Sequence, residues 1–202
     1  MPRTVDHEER RSKILEAFMA VAAREGLHAT SLRAVAVEAG ISLRSVQYYF
    51  DTKVGLMQAG LAALENQSNE RLRTRLGGLE SSSSARARLQ ALFAIALPTD
   101  LESRRFHLLW TSYAMLAMTD QVISDRAFVD SPNRLKKRIV SLLEEGKSRS
   151  EIDASRHSEI EASLLIALIH GLGTAVLVGH QTAESAYSSF DHYLDRLASE
   201  IQ

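Results

Sequence analysis

The stretch AGISLRSVQYYFDTK, Ala39 to Lys53, sets a glycine and a serine ahead of a helix-length run carrying Arg44, Gln47, Tyr48, Tyr49 and Phe50. Together with Leu32 to Ala39 it reads as two short helices around a tight turn. The apolar positions are Val35, Ala36, Ala39, Ile41, Val46 and Tyr49. Ala36 is small where the helices would cross, and Gly40 stands where the turn needs a left-handed backbone. Ile41 and Val46 would lock the second helix onto the first. These are the features of a helix-turn-helix, although a plain helical hairpin with a glycine turn shares the outline.

With those positions inward, Ser42, Leu43, Arg44, Gln47 and Tyr48 face outward. A short helix led by Ser42 as N-cap suits entry into a major groove by its N-terminal end. Arg44 can bond guanine O6 and N7 in a bidentate pair and Gln47 adenine N6 and N7, each worth about 1–3 kcal/mol of discrimination. Leu43 can touch a thymine methyl. Thr30 and Ser31, at the start of the preceding helix, and Lys53, in the first turn of the next, are candidates for phosphate contact. Tyr48 and Tyr49 can each offer a hydroxyl to a phosphate. Phe50 reads as packing, and Tyr49 divides between packing by its ring and phosphate contact by its tip.

Outward from this stretch the chain reads as helix throughout. It has only three prolines, at 2, 98 and 132, and no sustained alternation that would make a strand. Capping signals place a first helix from Asp6 to Gly26, a second over Ser31–Ala39, and a fourth over Thr52–Leu76. The low-complexity ESSSSA, Glu80 to Ala85, reads as a flexible connection. Further helices are expected over Ala85–Leu97, from a Thr99–Glu102 capping box to Met118, and from Ser131–Pro132 to Gly146. A Ser158–Glu161 cap opens another that ends near Gly179, and Thr182 opens the last. The expected fold is all-α with about nine helices.

Composition narrows the function. The 202 residues include no cysteine, which removes disulfides, thiolate catalysis and cysteine metal sites and suits a reducing cytosol. The net charge of −1 means that DNA binding, if present, must rest on local placement of charge. The seven histidines have no metal-ligand spacing, and no nucleophile, phosphate loop or supported carboxylate pair appears. The expectation is therefore no enzyme, no metal and no cofactor. The charged N-terminus MPRTVDHEERRSK predicts no secretory signal, and the expected location is cytoplasmic. Ala162 to Gly179 has the length of a membrane span, but it carries His170, Thr174 and three glycines without a flanking positive bias. A helix buried in a core or a subunit interface is the preferred reading, with no membrane as a partner. The basic run NRLKKRI, Asn133 to Ile139, reads as a solvated face.

The segment from Arg11 to Leu56 resembles the DNA-binding domain of the TetR family of bacterial transcriptional regulators. The matching pieces are ILEAFMAVAAREG, TSLRAVAVEAGIS and VQYYFDTKVGL. Members often have glycine where Arg44 stands and tyrosine where Gln47 stands, so the mode of binding carries over while the base preference does not. The resemblance implies a three-helix DNA-binding domain over residues 1–53 and a helical effector-binding and dimerisation domain over 54–202. It further implies a homodimer on a near-palindromic double-stranded operator, with half-sites about 34–36 Å apart or a multiple of that. A small-molecule effector of unknown identity would release the repressor. Phe93, Phe106, His107, Trp110, Tyr113 and Met118 are candidates for its pocket, with Met115 and Phe128 nearby. A stripe of this kind is more often core than pocket, and Trp110 and Tyr113 are the better candidates because each has a polar tip that needs a partner. Leu164, Leu165, Leu168, Ile169, Leu172, Val176, Phe190 and Leu194 are candidates for the dimer interface. The alternative function is a small-molecule-binding or architectural protein that uses the same fold without regulating a gene.

Overall fold

Helix ends in this chain are written by single side chains and glycines. A computed structural model describes residues 3–78, 83–119 and 127–198, with backbone alone for 3–6, 119 and 127–132. Among the described residues there are nine helices, and the fold is all-α. They are α1 (Arg3–Glu25), α2 (Leu32–Ala39), α3 (Leu43–Tyr49), α4 (Lys53–Gly77), α5 (Ala85–Ala96), α6 (Leu101–Thr119), α7 (Ala127–Ser148), α8 (Ser158–Leu177) and α9 (Ala183–Asp195).

Three caps differ from expectation. Helix α6 opens on a capping box one residue later than expected: Asp100 Oδ1 accepts the Ser103 amide at 2.8 Å, and Ser103 Oγ accepts the Asp100 amide at 3.1 Å. Thr99 and Glu102 offer the same pattern in sequence, but Asp100 supplies the stronger acceptor. Helix α7 starts at Ala127, so Ser131–Pro132 falls inside it. Helix α8 has His157 at its N-cap without a side-chain cap bond. Ser158 and Glu161 are used instead between helices, with Ser158 Oγ donating to Glu144 and Glu161 accepting from Tyr193. The expected connection at Glu80 to Ala85 lies outside the described residues as far as Ser82.

Contacts divide the chain into two compact units, Met1–Gln67 with Leu108–Val129, and Ser68–His107 with Asp130–Gln202. In the first, α1 buries Ile14, Phe18, Val21 and Ala22, α2 buries Val35, Ala36 and Ala39, and α4 buries Leu56, Met57 and Leu61. Gly60 lets α4 come close, since a Cβ there would lie 2.3 Å from the Phe18 ring. The buried Tyr113 hydroxyl of α6 donates to the Met57 carbonyl of α4 at 2.5 Å, and burial pushes its pKa up, so it stays a neutral donor.

The second unit is built around Phe93 of α5, which is fully buried. Its ring stacks on Phe190 of α9 with centroids 4.1 Å apart and planes 4° from parallel. Tyr187 meets the same ring edge-on at 5.3 Å. Leu89, Leu97, Ile139, Leu143, Ala162, Leu165 and Ile169 complete this core. His107 is also buried, its Nε2 paired with Thr174 Oγ1 at 3.1 Å and its ring laid on Gly173, where a Cβ would be 2.2 Å away.

The His170 ring lies 6.2 Å from that of His107. Burial pushes the His170 pKa down to about 4, assisted by His107, and burial lowers His107 too. Between the ordinary histidine value and about 4 the unfolded chain binds protons that the folded chain refuses. This contribution to stability is therefore whole above that ordinary value and lost as pH falls through the folded one. The melting temperature should fall between about pH 7 and pH 4, and His170→Gln should flatten that fall. Equal slopes for the two proteins would contradict the assignment.

Candidate nucleic-acid interface

The turn between α2 and α3 is made by two backbone bonds. Gly40, at φ +64°, donates its amide to the Val37 carbonyl at 3.1 Å, and Ile41 donates to Ala36 at 3.0 Å. This 6→1 and 5→2 pair is a Schellman closure, and it needs a residue that tolerates a left-handed backbone. Two residues on, Ser42 caps α3 by accepting the Ser45 amide at 3.1 Å. Ser31 caps α2 in the same way through the Ala34 amide, also at 3.1 Å. An ion pair of 2.9 Å between Arg24 of α1 and Glu38 of α2 adds a link on the outside.

Packing then sorts the neighbours in α3. Val46 is fully buried, with Phe50 just beyond the helix buried as well. Arg44, Gln47 and Tyr48 are exposed, Tyr48 at 74%, and Leu43 is half-buried. A helix of two turns thus offers its polar side chains outward from a fixed, capped start. That arrangement can place a guanidinium and an amide against base edges.

The expected phosphate contacts fare differently. Thr30 is 1% exposed and donates its hydroxyl to the Gly26 carbonyl at 2.9 Å, so its side chain holds the α1–α2 loop and is not offered to a ligand. Proximity to a helix start suggested it, and burial removes it. Ser31 is exposed, with its hydroxyl proton still available beyond the cap. Lys53 is exposed and donates to the His28 carbonyl at 3.1 Å, which leaves two of its three ammonium protons. Tyr49 is half-buried, and its hydroxyl meets His7 Nδ1 of α1 at 2.8 Å. His7 stands 42 residues away in sequence, and nothing in local periodicity could have marked it.

Residues 14–59 match the profile of the bacterial regulatory proteins of the tetR family, and residues 85–199 match that of the BetI-type transcriptional repressor C-terminal region. The chain belongs to the TetR family. It is 27% identical over 172 residues to the HTH-type transcriptional regulator PksA of Bacillus subtilis strain 168, covering 85% of this chain and 80% of that one. It is 25% identical over 199 residues to the regulator BetI of Vibrio atlanticus, covering 97% and 95%. In fold it is similar to a transcriptional regulator from Saccharomonospora viridis solved in complex with choline. The TM-score is 0.86 at 24% identity, covering 96% of this chain and 100% of the other. A TetR-family regulator from Rhodococcus gives a TM-score of 0.83 at 24% identity, covering 95% and 100%. A TetR-family chain is a DNA-binding regulator and not an enzyme. Among the described residues no cluster of three or more His, Asp or Glu could hold a metal ion.

The expected pocket residues of this TetR-family chain scatter. Phe93 fills the core of the second unit, the Tyr113 hydroxyl is taken by an α4 carbonyl, and Met118 is 82% exposed. An apolar stripe does not reveal which members a neighbouring helix will cover; that cover falls on Phe93 and Tyr113, which leave the set of pocket residues, while Met118 stays outside. His107 is buried, and Phe106 and Trp110 are half-buried. The Phe128 side chain lies outside the described residues.

The interface residues divide as well. Leu165, Ile169, Phe190 and Leu194 are 0–4% exposed in the subunit's own core, so no partner can reach them. Leu168, Leu172 and Val176 are half-buried, and Leu164 is 45% exposed. Ile160 (57%) and Val178 (73%) extend the outer face, with Ala167 and Gly171 between them. Helix α8 has the length and hydropathy of a membrane span, yet only 28% of its apolar window is buried within the subunit.

Proposed function

We propose that the chain is a cytoplasmic homodimeric repressor that holds a near-palindromic operator and releases it when a small molecule binds its C-terminal helices. In this reading residues 1–53 read the DNA, and 54–202 bind the effector and dimerise. The observation that carries it is the capped α3 helix, which buries Val46 while presenting Arg44, Gln47 and Tyr48. The match of residues 85–199 to a repressor C-terminal region supports the sense of regulation.

The outer line of α8, through Ile160, Leu164, Ala167, Gly171 and Val178, supports a second copy of the chain as its cover. Its spacing of four, three, four and seven residues is that of a helix-packing seam. Leu164→Glu should shift sedimentation from dimer to monomer while leaving the core of the subunit folded. A dimer unchanged by that substitution would place the interface elsewhere, and a need for detergent would favour lipid as the cover.

Of the pocket candidates, Phe106 and Trp110 of α6 keep half-buried faces. Half-buried aromatic faces suit an organic cation, and the choline held by the Saccharomonospora viridis protein makes choline the first compound to test. An effector shifts the equilibrium only by its differential affinity for the DNA-bound and free states, typically about 1–3 kcal/mol. Fluorescence anisotropy with a labelled operator, titrated with choline and other small cations, should show roughly 5–150-fold weaker DNA binding for the true effector. An effector that binds, by thermal shift, without changing operator affinity would favour the alternative of a binding protein that does not regulate.

A further inference from the structure

Where α1 meets α3, His7, Tyr48 and Tyr49 form a three-ring cluster, and through the exposed Tyr48, one turn on from Arg44, it borders the face that presents Arg44. His7 Nδ1 and the Tyr49 hydroxyl are 2.8 Å apart. Tyr48 and Tyr49 meet edge-on at 5.2 Å, and the His7 ring lies 6.2 Å from Tyr48 and 5.8 Å from Tyr49. His7 and Tyr48 are exposed.

We propose that His7 is a proton-linked positioning residue of the DNA interface: it takes up a proton when the protein engages duplex DNA, and by doing so turns the Tyr49 hydroxyl toward a backbone phosphate. The inference rests on the DNA-binding reading above and deepens it. With the imidazole neutral and its proton on Nε2, Nδ1 accepts the Tyr49 O–H, so that hydroxyl has no proton left to offer. A proton from solvent that lands on Nδ1 reverses the bond. Nδ1–H then donates to the tyrosine oxygen, and the Tyr49 O–H is freed for a phosphate oxygen. The imidazolium adds a positive charge beside the same phosphate, and the phosphate in turn favours the charged ring.

The surroundings permit this. From α3 the groups facing His7 are Tyr48 and Tyr49. On α1, Arg10 and Arg11 follow one turn on, with the Arg11 guanidinium 5.3 Å over the Phe50 ring. Glu8 and Glu9 follow it on α1, and among the described residues no carboxylate is ion-paired with His7; an arriving phosphate would place a further anion against its ring.

The test uses the full-length protein and a duplex recovered from a randomised pool, with affinity read by anisotropy at about pH 6 and pH 8 at one salt concentration. Wild type should bind several-fold more tightly at the lower pH. His7→Gln, which can donate but cannot titrate, should lose most of that dependence. Tyr49→Phe should match wild type near pH 8 and fall several-fold below it near pH 6, because the hydroxyl is offered only when His7 is charged. DNA-free melting curves of both variants, at an exposed and a half-buried site, check that the fold is kept. A wild-type pH dependence that survives in His7→Gln, or a Tyr49→Phe loss of the same factor at both pH values, overturns this inference alone. Failure of wild type to bind any duplex at either pH overturns the DNA-binding reading and takes this inference with it.

Discussion

Phe93→Ala should cost about 3–5 kcal/mol of unfolding free energy, the range for emptying a buried phenylalanine site. The ring has no exposed surface, stacks on Phe190 at 4.1 Å and receives the edge of Tyr187 at 5.3 Å, so its removal forfeits burial and two aromatic pairings together. Phe190 and Tyr187 both lie on α9, so the gap cannot close without moving α9 against α5. Against a total stability of roughly 5–15 kcal/mol this is a large share. Urea denaturation should show a much lower midpoint at an unchanged slope. Phe106→Ala, at a half-buried position, is the control and should lose far less. Equal losses for the two would mean that Phe93 does not centre the core, and would return it to the pocket candidates.

Arg44→Ala should act on specificity and not on stability. Arg44 is exposed and belongs to no core, so its removal leaves the fold intact. If it reads a guanine edge, the variant should lose about 1–3 kcal/mol of discrimination at one base pair of each half-site, roughly 5–150-fold, with other positions unchanged. Lys53→Ala is the contrasting case. Its ammonium lies in the first turn of α4 with two donors to spare, and a phosphate contact carries no sequence information. Binding should weaken alike for all sequences, and the salt slope should drop by about one per subunit. If Arg44→Ala weakens every duplex equally, Arg44 is a backbone contact and base reading must come from Gln47 or Leu43.

What could be read from the amino-acid order depended on whether the deciding interaction is local. The α2–α3 turn was legible because Gly40, Ser42 and Val46 act within a few residues of one another, through a left-handed turn, a cap and an anchor. Overlapping local signals were harder. Thr99–Glu102 and Asp100–Ser103 both spell a capping box, and only the carboxylate acceptor decides between them. Helix α8 marks the limit of periodicity. It is apolar on every side, so spacing could not separate Leu165 and Ile169, which the subunit buries, from Ile160 and Val178, which it leaves outside. The same limit sent Phe93 and Tyr113 to a pocket when one fills a core and the other bonds an α4 carbonyl. His7 was invisible for a different reason: its partner Tyr49 is brought to it by the packing of α1 on the helix pair, not by any spacing along the chain.

In the proposed function α3 reads DNA in a two-fold pair. Selection of bound duplexes from a randomised pool by the full-length wild-type protein, followed by sequencing, tests it most directly. A near-palindromic site should be enriched, with half-sites about 10 base pairs apart or a multiple of that and one position in each half that becomes degenerate for Arg44→Ala. A pool that stays random after repeated rounds at low salt, or a selected site without two-fold symmetry, would contradict it.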